Sequence, residues 1–396
     1  MPVAPRASCG FSQPSTRSEA LLLHPRKPAA IDQRSTLAHY QVPILCALAT
    51  AVLIGGSAPF TKLILGGAGP LTLAALVSLG SGSGALLFSL IGTAAGTRRS
   101  HVEAPPGRSE IPWLIGATVF GGILAPVTLV FSLPGTPAAT AALLLNFEAV
   151  ATTLIAVSVF KESVSRRVWV ALGCITVSCI LLTHDPAGGL GLSLPALGIL
   201  LTCLFWAVDN NLGQRLSAKD PLRVIAVKGI GAGIVTLLVA LAAGEHLPGA
   251  TTTAAAMVVG FLCYGGLTSI LFLLALRGIG AARAGSLLAV SPFFGVLFSL
   301  LLFAELPAGA FYVALPVMAL GAWLMVSEKH SHAHRHPATV HEHRHRHDDL
   351  HHDHTHTAGD PPLPAAGEHS HMHAHPELAH EHPHQPDIHH RHLHRR

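Results

Sequence analysis

Glu148 is the first residue to account for, because it stands inside an apolar run, about twelve residues from either end of 137–160. A charge at the centre of a segment lying in hydrocarbon costs ~2.5–3.5 kcal/mol. A carboxyl there must carry a proton, find a partner or face water. It can therefore exchange a proton, bind a cation, or only tie two helices together. Asp209 and Lys228 form a second group, on the consecutive apolar runs 193–214 and 221–243. The rise of a helix puts Lys228 about 10 Å beyond the start of its run, level with Asp209. That placement predicts an ion pair, either fixed or broken and remade in a working cycle. Asn146, Asn210 and Asn211 add donors and acceptors at similar depth, and Trp206 lies one turn from Asn210 on the same helix face.

The other chemistry-bearing residues crowd the carboxyl end. All but five of the 28 histidines fall in 330–396, often as H-x-H. They include His330, His332, His334 and His336, then His341, His343, His345 and His347, then His369, His371, His373 and His375. Imidazole suits Zn, Ni and Co, so such a chain can chelate divalent metal, with spacing too loose to select one. The alternative is a polycation that charges near neutrality. No nucleophile–base pair, phosphate-binding glycine loop or nucleotide-hydrolysis motif occurs. The sequence therefore predicts no enzyme, no direct use of ATP and no cofactor for the apolar region. The six cysteines show no C-x-x-C spacing and read as small buried residues. No interleaving of basic and aromatic residues points to nucleic acid.

The elements that must position these residues are ten apolar stretches, at about 42–63, 70–92, 112–132, 137–160, 166–183, 193–214, 221–243, 252–276, 281–303 and 307–327. A hydrocarbon core of about 30 Å takes roughly 20 helical residues to cross. Half of the residues are hydrophobic and 12% are charged, whereas a soluble domain is about a quarter charged. Basic residues alternate between the connections. They fill the arm before Gln41, then recur as Arg98, Arg99 and Arg108, as Lys161, Arg166 and Arg167, as Arg215, Lys219 and Arg223, and as Arg277 and Arg283. The intervening connections carry neither Lys nor Arg, save Lys62 at the end of the first span. Lys and Arg mark the cytoplasmic side of a membrane, so both termini of this multi-pass chain are expected there. Pro59 and Pro292 fall inside the first and ninth spans as expected kink sites.

The spans repeat. Residues 138–162 align without a gap on 281–305, pairing Leu144 with Leu287 and Glu162 with Glu305, and Pro70-Leu71 corresponds to Pro221-Leu222. Five spans is an odd number, so the second copy enters the membrane inverted, the arrangement of secondary transporters with a site between the halves. The expected fold is an all-α membrane protein of ten transmembrane helices in two inverted five-helix repeats, 41–185 and 186–329. A disordered cytoplasmic arm (1–40) and a disordered His-rich tail (330–396) flank them. Gly80-x-x-x-Gly84 and Gly229-x-x-x-Gly233 suit close helix packing; these faces permit a homodimer without requiring one.

The stretches GGSAPFTK (55–62), LLLNFEAVATTLIAVSVFKE (143–162), FWAVDNNLGQRLSAKDP (205–221) with VKGIGAG (227–233), and YGGLTSILFLLALRGIGAARAG (264–285) resemble EamA-type permeases of the drug/metabolite transporter superfamily. The resemblance covers about 42–327 and implies ten helices, two EamA repeats, an inner-membrane location and secondary transport, often export. The long arm and the histidine tail depart from that family's compact pattern. The leading expectation is a permease exporting a small metabolite, proton-coupled through Glu148. The alternatives are a Ni, Co or Zn permease with the tail as metal collector, and a tail acting as metal store with the spans as its anchor.

Overall fold

The computed structural model describes residues 33–94, 105–160, 164–184, 193–216, 219–304, 309–326, 331–336, 339–346, 368–375 and 378–383. The arm before residue 33 lies outside the described residues. The described residues form fourteen α-helices. In chain order they are α1 (Gln33–Gly55), α2 (Ser57–Ile64), α3 (Pro70–Ala94), α4 (Ile111–Ala117), α5 (Ala125–Ser132), α6 (Ala138–Leu144) and α7 (Phe147–Phe160). There follow α8 (Arg166–Thr183), α9 (Leu194–Gly213), α10 (Pro221–Ala242), α11 (Ala250–Cys263), α12 (Gly266–Leu288), α13 (Ser291–Phe303) and α14 (Gly309–Val326). Among the described residues, eight helical stretches are long and apolar enough to cross a membrane, from Gln41–Gly67 to Ala250–Leu276. Two apolar helices, Ser291–Phe303 and Gly309–Met325, are shorter. The part that crosses the membrane is all-α.

The helices are apolar all round because both environments they meet are apolar. Small residues fill the contacts between them: Ala47, Ala51, Ala58, Ala75, Ala85 and Ala232 are fully buried. Large ones point outward, among them Leu87, Leu90, Ile91, Leu238 and Leu301. A soluble protein would invert this order; here lipid covers the outer surface and close backbone approach holds the inside together. The helix α3 packs along α10 and α11, α1 along α12 and α13, α8 along α14, and α9 along α5 and α7. At the crossing of α3 and α10 a Cβ on Gly229 would lie 2.6 Å from the Gly82 amide nitrogen. The Gly80–Gly84 face is turned to α11 instead, against Met257 and Phe261.

Several apolar stretches are interrupted partway. The first breaks at Gly56 and the fourth at Leu145–Asn146. Between α4 and α5, residues Thr118–Leu124 form a π-helix, and the wider turn is followed at once by Pro126, which has no amide hydrogen to give. Between α11 and α12 the chain turns at Tyr264 and Gly265; Gly265 has φ +128°, where a side chain would be strained. A further break separates α12 from α13 at Ala289–Val290.

Three expectations change. Helix α1 begins at Gln33, inside the arm expected to be unstructured. Backbone stays helical through 277–280, where the sequence places a connection, and no proline there stops it. The tail contains four strands: β1 (Ser331–His336), β2 (Thr339–Arg346), β3 (Glu368–His375) and β4 (Leu378–Pro383). They pair antiparallel as two ribbons, β1 with β4 and β2 with β3. The H-x-H repeat has the period of two that a strand requires, which a reading by apolar content alone overlooks.

Candidate functional site

Glu148 lies in the first turn of α7, just past the break at Leu145–Asn146. The positive end of a helix favours a carboxylate. Its side chain is half-buried, and its Oε1 accepts a hydrogen bond from Asn210 Nδ2 at 2.7 Å. The same amide is 3.4 Å from Thr152 Oγ1, one turn further along α7. Asn211 is buried and donates to Ala207 O at 2.8 Å and Thr152 O at 3.3 Å, which clamps α9 to α7. Its Oδ1 has no hydrogen-bond partner among the described residues. Cys203, two turns before, is buried and points its thiol at Leu144 O, 3.5 Å away, at the end of α6.

On the adjoining side of α9, Asp209 forms an ion pair through Oδ2 with Lys228 Nζ of α10. The Asp209 side chain keeps 12% of its exposure and that of Lys228 26%. The π-helix lies against this pair. A Cβ on Gly121 would collide with the Asp209 carboxylate, and one on Gly122 would lie 3.7 Å from Lys228 Cγ. Ser78 of α3 donates to Gly122 O at 3.0 Å, holding the widened turn. Two pairs thus meet around one stretch of α9: Glu148 with Asn210, 62 residues apart in the chain, and Asp209 with Lys228, 19 apart. No Lys or Arg forms an ion pair with Glu148 among the described residues.

Trp206, one turn earlier on α9, packs its ring on Tyr264 with centroids 6.3 Å apart. Tyr264 sits at the α11–α12 break. Its hydroxyl shares a 2.8 Å hydrogen bond with Thr61 Oγ1 and donates to Ser57 O at 3.3 Å, both on α2. Its carbonyl accepts from Ser81 Oγ of α3 at 2.9 Å. The Tyr264 phenol therefore ties two interrupted stretches together, the Trp206 ring ties them to α9, and the Tyr264 carbonyl ties them to α3. Asn146 does not join this group; its amide reaches Met318 Sδ of α14 at 3.2 Å.

Pro59 and Pro292 fall in the first turns of α2 and α13, where an amide hydrogen would have no helical partner. Close by, a Cβ on Gly295 would lie 2.8 Å from Gly55 O, so α1 and α13 touch backbone to backbone. Of the tail histidines, His332, His334 and His336 lie on β1, His341, His343 and His345 on β2, and His369, His371, His373 and His375 on β3. His330 and His347 lie outside the described residues. Thr152, Tyr264 and Thr61 escape a reading of charges and amides. The legible signal is a glycine pair at three of the interruptions, Gly55-Gly56, Gly121-Gly122 and Gly265-Gly266.

Comparison with known proteins agrees with this geometry. A crystal structure of another protein superposes with a TM-score of 0.52 at 18% identity, covering 72% of this chain and 96% of that one; at that identity the likeness is one of fold. An uncharacterized transporter of Methanothermobacter thermautotrophicus is 26% identical over 220 residues, which are 52% of this chain and 62% of that protein. The EamA-like transporter family matches twice in succession, at 41–184 and 193–327. With both halves matched over most of its length, this chain belongs to the EamA-like transporter family and is an EamA-type permease of the drug/metabolite transporter superfamily.

Proposed function

We propose that this permease exports a small metabolite across a bacterial inner membrane, with Glu148 as the proton-exchanging group and both termini in the cytoplasm. The observation that carries the reading is the meeting of Glu148 and Asn210 with the Asp209–Lys228 pair at the interruption of the fourth apolar stretch. Asp209 and Lys228 balance each other. Glu148 is held by an amide, which can donate to the charged form and whose oxygen can accept from the neutral one. It retains exposed surface through which a proton or a substrate can reach it. Discontinuous helices are the usual place for such sites in transporters.

The same reading includes ten spans in two inverted repeats. Its support is the way neighbours pair. Exchanging each stretch of one half with its counterpart in the other turns the α1–α12 contact into that of α9 with α4 and α5, and α7–α9 into α13–α1. The α3–α10, α8–α14 and α6–α13 contacts map onto themselves. The breaks at Leu145–Asn146 and Ala289–Val290 also correspond, within one residue of the sequence repeat.

The metal-permease alternative gains nothing from the spans: among the described residues no three His, Cys, Asp or Glu converge. The test compares metabolites released into the medium by a host producing the wild type, Glu148→Gln or an empty vector, with and without an uncoupler. Compounds enriched by the wild type should fall to the vector level in Glu148→Gln and with the uncoupler. Enrichment unaffected by either refutes coupling through Glu148, and no enrichment at all refutes export.

A further inference from the structure

Two helix starts that correspond in the sequence repeat are finished differently. Helix α10 opens with Asp220-Pro221, and Asp220 Oδ1 accepts from the amides of Leu222 and Arg223 at 3.1 and 3.4 Å, a cap from the adjoining residue. Helix α3 opens with Gly69-Pro70 at the matching place, and Gly69 has no side chain to give. The matching amides, Leu71 and Thr72, donate instead to Glu245 at 3.2 and 2.7 Å. Glu245 follows the end of α10 and belongs to the second family match, 193–327, whereas α3 belongs to the first, 41–184. Glu245 fills the space that a side chain at 69 would take, since a Cβ there would collide with its carboxylate. The start of α3 is thus capped by the other half of the molecule.

Further contacts between the halves lie on the same side of the bundle. Phe60 packs on Phe298 with ring centroids 5.1 Å apart, and Lys62 Nζ stands 5.8 Å from the centre of the Phe303 ring. Thr61 shares its hydrogen bond with Tyr264. Midway along their lengths, α3 and α10 touch backbone to backbone at Gly82 and Gly229. We propose that Glu245 is a latch between the halves. Its carboxylate holds the start of α3 while this end of the bundle is closed, and releases it when the halves rock about the Gly82–Gly229 contact to open that end. The positive end of a helix and two amide donors hold a carboxylate. Water can satisfy the same amides when the partners separate, which makes the latch reversible. Helix α10 keeps its own cap throughout, so of the two caps only that of α3 is remade in each cycle. The inference rests on the two halves moving against each other, as in the function proposed above, and not on substrate, direction or Glu148.

The test is a distance distribution by electron paramagnetic resonance on the full chain in lipid nanodiscs. Nitroxides are carried on ketone-bearing side chains introduced at Gly66 and Gly249, one in each half at this end. A Cβ at either glycine meets nothing within 4 Å, and the native cysteines stay unchanged. With Glu245 intact the short, closed distance should dominate. Glu245→Ala should raise the ratio of longer to short distances by roughly two- to thirtyfold, the range that a lost helix cap supplies. Gly69→Asp/Glu245→Ala gives α3 a cap of its own, like that of Asp220, without the link between the halves. The longer distance should stay as populated there as in Glu245→Ala. A distribution restored by Gly69→Asp overturns the proposal, since Glu245 would then only steady α3. A distribution unchanged in Glu245→Ala, or a chain with Glu245 intact already at the longer distance, overturns it as well. No substrate is added, so failure here is distinct from failure of metabolite export, which the release assay reads.

Discussion

Replacing Lys228 with Met asks how far the Asp209–Lys228 pair holds α9 to α10. Removing one partner of a buried pair costs ~3–5 kcal/mol, because the other charge is left in a poor solvent. Asp209 is the more buried partner, at 12% against 26% exposure, so the loss in Lys228→Met should lie in that range. Asp209→Asn keeps the shape that fits against Gly121 and leaves an ammonium that can reach toward water on its flexible stem. Its loss should be smaller, about 1–3 kcal/mol. In the double variant Asp209→Asn/Lys228→Met no charge is stranded, and stability should return to within about 1 kcal/mol of the wild type. The assay is reversible unfolding in mixed micelles. Strict additivity of the two single losses, within about 0.5 kcal/mol, would mean that the two groups do not interact energetically and would refute the reasoning.

Four further outcomes follow from the packing. Gly229→Ala forces a methyl to 2.6 Å from the Gly82 nitrogen, so α3 and α10 must part, at a cost of about 1–3 kcal/mol. Gly231→Ala, whose new methyl meets nothing closer than Thr118 Cγ2 at 3.9 Å, should be neutral or stabilising by up to ~1 kcal/mol, and the same unfolding assay reads both. Tyr264→Phe keeps the ring on Trp206 but loses the bonds to Thr61 and Ser57, with an expected loss of about 1 kcal/mol. Glu245 follows the end of α10 and accepts from the Leu71 and Thr72 amides at 3.2 and 2.7 Å; Glu245→Ala frees both at the start of α3 and should cost about 0.5–2 kcal/mol, seen as faster amide exchange in that first turn.

How much of the site could be read in advance depended on the kind of signal. Glu148, Asp209 and Lys228 stand out because charge in apolar sequence is rare and costly. Their grouping through Asn210 could not be read, because helical depth places residues at a level in the membrane and says nothing of which helices are neighbours. Asn146 illustrates the gap: it has the depth of the site, yet its amide faces Met318. Tyr264 carried no charge to draw attention, although the adjoining Gly265-Gly266 marks a breaker in the middle of an apolar stretch.

The amino-acid sequence by itself determined that this chain is a helical membrane protein. Uninterrupted apolar runs can satisfy their backbone hydrogen bonds in lipid only by coiling on themselves. It also determined the close contact of the glycine-bearing helices, since only a missing side chain admits another backbone. The tertiary structure alone decided where the apolar stretches break, which glycine face meets which helix, and that Glu148 and the Asp209–Lys228 pair share one segment of α9. It likewise decided the strand register that sets histidine against histidine. The physical reason is common to all of these. Hydropathy and spacing act along one chain, whereas a hydrogen bond, an ion pair or a register depends on the partner that packing brings to it.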